Sequence, residues 1–291
     1  METAVFNQPR QFDLSFGGVL LFVLAFALLA MPTILTLGEQ TWSREIGAHG
    51  PIVLSTGAWL LWRMRAECAR SAVPGSFWLT TTVLIASLVF YVFGRAYDFI
   101  TFEAAGVYGA GLAMLHARLG ARLMFRNWFP FLYMAFLIPP PNYLLDNLTA
   151  PLKYLVSLAA TDGLQMFGIP VAREGVIIIV AQYQLLVEDA CSGMNSIVGL
   201  VAIGLFYIYL LRGSSWRYSL FLTFLIVPIA IVANILRVVI LVLLTYFYGD
   251  EVAQGVFHLA AGIFVFATSV ALVFTIDRLT SYALAKLRRS A

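Results

Sequence analysis

Cys191, Arg237 and His258 each lie about one bilayer thickness from an arginine at the other end of an apolar run. Cys191 stands 21 positions before Arg212, Arg237 stands 20 after Arg217, and His258 stands 20 before Arg278. At about 1.5 Å of helical rise per residue, each separation is roughly 30 Å, the depth of a hydrocarbon core. With Arg212, Arg217 and Arg278 on one membrane face, a thiol, a guanidinium and an imidazole gather near the other. A thiolate attacks carbonyls, a guanidinium stabilises an oxyanion, and an imidazole exchanges protons near neutral pH. Together they suit acyl transfer on a peptide, so the expected chemistry is that of a membrane-embedded cysteine peptidase.

Each residue has its own local setting. Cys191 lies in EDACSGMNS, at the head of an apolar run. At a helix N-terminus the dipole and free N–H groups favour thiolate, whereas Glu188 and Asp189 oppose it. Ser192, Asn195 and Ser196 follow at helical spacing and give that first turn a polar face. A small buried cysteine is the plain alternative. Arg237 lies in VANILRVVILVLL with no carboxylate in the run. An arginine within a span is costly unless it is paired, hydrated or interfacial, and is functional by default. Asn234, three positions earlier on the same helical face, can orient it. A snorkelling arginine held by Glu188 is the competing account. His258, in GVFHLAAGIFVF, shares the depth of the other two. His49 is placed in an outward loop before Gly50 and Pro51, and His116, beside Arg118, is assigned no role. No H-E-x-x-H, C-x-x-C or phosphate-cradling glycine loop occurs, so neither metal nor cofactor is expected.

The elements that must position these groups follow from composition. The chain is 61% hydrophobic and 11% charged, with a mean hydropathy of +0.89, which excludes an ordinary soluble domain. The fold class expected is an all-α membrane protein, a single domain over 1–291. Its bundle has about eight transmembrane helices, at 16–37, 46–62, 76–94, 97–117, 127–146, 191–211, 218–248 and 253–276. The first run lacks a cleavage site and reads as an uncleaved span. A net charge of +3, scattered along the chain, gives no support to nucleic-acid binding. Thirteen of the 18 basic residues fall at one set of helix ends, including Arg63, Arg122, Arg212 and Arg288. By the positive-inside rule both termini are cytoplasmic, in the inner (cytoplasmic) membrane, and Cys191, Arg237 and His258 face outward. Cys68 and Cys191 then lie on opposite faces and form no disulfide. Pro139-Pro140-Pro141 ends or kinks the fifth span. The stretch 150–167, with Lys153 and Asp162, reads as an interfacial or re-entrant helix. The β-branched run 175–187 reads as a short extended hairpin over the outer face.

These residues resemble the exosortase/archaeosortase family of integral-membrane sorting peptidases. The resemblance runs from Phe131 to Val273 and is carried by FLIPPP, Glu174-Gly175, ACSGMNS, NILRVV and HLAAG, with a weaker AHG at Ala48 to Gly50. It implies cleavage of the C-terminal sorting tail of secreted proteins, namely a short motif, a transmembrane helix and a basic cluster. It implies Cys191 as nucleophile with Arg237 and His258, through a thioester passed to water or to an acceptor nucleophile. It also implies a link to exopolysaccharide production. Asn234 and Glu174 are expected in support, Glu174 against His258 or substrate, beside Ser192 and Asn195. The partners expected are the tail and membrane lipid. The competing class is a transporter or flippase for an anionic or lipid-linked solute, with Arg237 as the binding charge.

Overall fold

The computed structural model describes residues 16–43, 47–186, 195–210, 216–249, 260, 264, 267–280 and 282. Among these the chain is mostly helical, with one small sheet. Three described helices are long and apolar enough to cross a membrane, at Leu20–Trp42, Phe77–Ala96 and Leu220–Tyr248. The chain divides into two compact units, residues 1–44 with 50–140, and residues 45–49 with 141–291.

In the first unit α1 (Phe16–Leu37) coincides with the expected first span and continues as a π-helical turn, Gly38–Trp42. The second expected span is α2 (Gly50–Arg63), only 14 residues long, followed by α3 (Arg65–Ser71). At about 21 Å, α2 falls short of a 30 Å core. Next come α4 (Phe77–Ala96) and α5 (Ile100–Arg126), the latter kinked at Gly120. α4 and α5 approach closely, because a Cβ on Gly106 would stand 2.5 Å from the Tyr91 nitrogen and 2.7 Å from the Ser87 oxygen. Small residues at such crossings let helix backbones touch. α6 (Trp128–Met134) passes into a 3₁₀ turn, Ala135–Leu137, which stops at the prolines.

That stop corrects the expected fifth span. The helix does not reach 146. The chain is extended at Pro141, which caps a new helix, α7 (Asn142–Met166), in the second unit. α7 absorbs the separate segment expected at 150–167, and Pro151 lies inside it. Proline removes the one rung that would end on the carbonyl of Asn147. Upstream in the same helix Asn147 Nδ2 donates to Tyr143 O (2.9 Å) and Thr149 Oγ1 to Leu145 O (2.7 Å), beside the ordinary backbone rungs.

The expected hairpin is present, within a three-stranded antiparallel meander. Its strands are β1 (Val171–Glu174), β2 (Ile177–Val180) and β3 (Tyr183–Leu186). β2 and β3 pair with Ile178 opposite Leu185, and β1 pairs with β2 with Arg173 opposite Ile178. β1 went unforeseen because its polar VARE carries no apolar run. Both turns have two residues, and their first positions have positive φ, 61° at Gly175 and 51° at Ala181. That twist suits a right-handed hairpin.

Two further helices, α8 (Asn195–Leu210) and α9 (Trp216–Tyr248), precede a last one, α10, at 267–280. Asp277 of α10 is buried and accepts hydrogen bonds of 2.6 Å from both Tyr207 of α8 and Tyr218 of α9. The core of this unit joins Val156, Ala160 and Leu164 of α7, Ile178, Val180 and Leu185 of the sheet, and Val238, Leu241 and Val242 of α9.

Candidate active site

α9 is 33 residues long, about 50 Å, well beyond the thickness of a hydrocarbon core. The apolar run therefore needs another cover along part of its length. The sheet and α7 supply it over Val238, Leu241 and Val242. Arg237 immediately precedes that covered stretch and is 1% exposed; Asn234, one turn earlier, is 3% exposed. A charged side chain so buried is strongly destabilising unless protein groups replace its hydration. The structure thus holds Asn234 and Arg237 together in the interior, next along α9 to the stretch packed on the sheet.

Glu174 ends β1 and is exposed. Its neighbour Gly175 is met from two sides, since Gly175 O accepts from Arg173 Nη1 (3.0 Å) and shares with Tyr154 O the single proton of Ser157 Oγ, which lies 3.2 Å from the former and 2.8 Å from the latter. The Arg173 guanidinium lies 4.6 Å over the Tyr154 ring. At the other end of β1, Gln165 Nε2 donates to Val171 O at 2.9 Å. α7 therefore sets both ends of the strand that presents Glu174. Sequence reasoning singled out Glu174 but not Ser157, Arg173 or Tyr154, whose role depends on α7 and β1 lying side by side.

Asn195 opens α8. One turn on, a Cβ at Gly199 would sit 3.1 Å from the Cβ of His49 and 3.7 Å from its Nδ1. The imidazole of His49 thus packs flush against α8, two turns along the sequence from Cys191. His49 looked like a loop residue in sequence. The hint was Gly199, one of two glycines in α8, and its partner lay 150 residues away. His116 is buried, with Nδ1 2.8 Å from Thr80 Oγ1, a packing role in the first unit. Cys191, Ser192 and His258 lie outside the described residues. Among the described residues, no three His, Cys, Asp or Glu side chains gather in a metal-binding arrangement.

A family model described as transmembrane exosortase matches residues 42–275. That range includes Cys191, Asn234, Arg237 and His258, as well as His49 and Glu174. No curated protein and no solved structure gives a significant match.

Proposed function

We propose, from the premise that this chain belongs to the transmembrane exosortase family, that it is a cysteine peptidase or transpeptidase working at the outer face of the inner membrane. Its substrates are secreted proteins bearing a C-terminal tail, made of a short motif, a transmembrane helix and a basic cluster. The Cys191 thiolate attacks the scissile carbonyl to give a tetrahedral oxyanion, which collapses to a thioester and expels the amine of the tail. Arg237 stabilises the oxyanion, a role worth a few kcal/mol. His258 protonates the departing amine and then deprotonates water or an acceptor nucleophile that releases the acyl group. Asn234 holds Arg237, Glu174 meets His258 or the substrate, and Ser192 and Asn195 line the polar face beside the thiol. Some eight spans carry the site within one domain, and the system serves exopolysaccharide-associated protein sorting.

The observation that supports this reading most is Arg237, a guanidinium 1% exposed in an apolar helix, inside the range matched by the family. The test is co-expression with a tailed secreted protein and mass determination of its new C-terminus. Wild-type protein is expected to shorten the substrate at one bond. Cys191→Ala is expected to leave it full-length in the membrane, and normal processing by that variant would remove the nucleophile assignment.

A further inference from the structure

The first unit contains a half-open groove of about 370 Å³ between α1, α2, α5 and α6, with an almost wholly apolar lining. On α1 it is lined by Val23, Phe26, Ala30, Thr33 and Leu37, steps of three and four that mark one continuous helical face. On α5 the lining runs from Ala104 to Leu115. The two helices are antiparallel here, so the Leu37 end of one meets the Ala104 end of the other. From Val23 to Leu37 the groove is about 21 Å long. A polymethylene chain matches that length and that apolar lining.

A polar cluster adjoins the groove at Thr33. Thr33 Oγ1 donates to Glu103 Oε1 at 2.7 Å, and Arg95 Nη1 donates to the same oxygen at 3.0 Å. Glu103 is 3% exposed, whereas half of the Arg95 side chain is open. Arg95 also reaches Thr36 Oγ1 at 3.4 Å. Among the described residues its hydrogen bonds all leave from Nη1, so the rest of the fork suits a phosphate. An apolar groove with a half-exposed guanidinium one hydrogen-bond step from its Thr33 wall has the complementarity of a lipid: phosphate outside, chain within. One leaflet contributes about 15 Å of hydrocarbon, so a groove of about 21 Å is long enough for a whole chain. In the topology set by the arginines, the Arg95 end faces outward, as a headgroup of the outer leaflet requires.

We propose that this groove is a binding site for one acyl chain of a membrane glycerophospholipid, with its phosphate on Arg95. The test places the full-length protein in bilayer nanodiscs containing a phosphatidylglycerol whose acyl chain carries a diazirine. After irradiation, the adducts are mapped by peptide mass spectrometry. Adducts are expected on the groove faces of 23–37 and 104–115. Labelling spread evenly over outward positions such as Leu21, Leu28 and Trp78, which are exposed, would overturn the site without recourse to any variant. Ala30→Trp, filling the groove, is expected to cut its labelling about tenfold, and labelling unchanged in a variant that still elutes as a single folded species counts against it. Arg95→Gln should weaken labelling by the phosphatidylglycerol probe but not by a diacylglycerol probe bearing the same chain. An equal response of the two probes would sink the phosphate contact.

Discussion

Arg237 carries the sharpest consequence at the scale of single residues. If it stabilises an oxyanion, Arg237→Gln should slow tail removal by about 10²–10³, as loss of one such donor does elsewhere. Arg237→Lys should not restore the rate, because an ammonium lacks the planar fork. The readout is the initial rate of substrate shortening in membranes, and a wild-type rate in either variant would contradict the role. Cys68 offers a contrast between the two thiols. On α3, burial and then the neighbouring Glu67 carboxylate push its thiol up from the ordinary cysteine range. Its thiolate fraction is therefore small at neutral pH and grows only as pH rises towards the raised pKa, so alkylation of Cys68 should be slow at pH 7 and faster at pH 9. Mass-tag labelling checks this, and Cys68→Ala should leave processing intact. The burial of Asn234 and Arg237 was legible because rare polar types in an apolar run stand out. Other contacts were not: nothing local to His49 or Ser157 announces a contact with Gly199 or Gly175.

Between residues and the whole lies the element, and here the sheet is decisive. Ala181 holds φ at 51° in the β2–β3 turn, a conformation that costs an L side chain about 1–2 kcal/mol. Ala181→Gly should raise thermal stability, and a drop in unfolding temperature would show that the turn is not left-handed. Ser157→Ala should loosen the Gly175 turn, raising amide exchange in 173–177 more than elsewhere, whereas uniform exchange would discount the clamp. The sequence's period and composition located α1 and α4 almost to the residue, since each is a long apolar run without interruption. Pro139 to Pro141 ended the helix, as expected, whereas Pro151 lies inside α7, where a proline removes a single rung. The apolar run beyond Arg237 looked like membrane span, yet part of it is core under the sheet. Hydropathy alone does not distinguish lipid from protein as the covering medium.

For the molecule as a whole, the arginine pattern predicts that a C-terminal fluorescent-protein fusion will light up and a C-terminal alkaline-phosphatase fusion will stay inactive. The reverse pair of results would invert the orientation and move the site to the cytoplasm. Charge bias along the chain is what carries that expectation, whereas the number of crossings was not legible, because α2 and α7 are too short or too polar to count by hydropathy. Asp277, shared by the phenols of Tyr207 and Tyr218, stitches α8, α9 and α10 together at one level. Apolar contacts among Leu200, Ile226, Ala230 and Val273 run along the same three helices, so this knot fixes the level of a seam that is already closed. Losing it, as in Asp277→Ala, would strand two phenols in the interior without an acceptor.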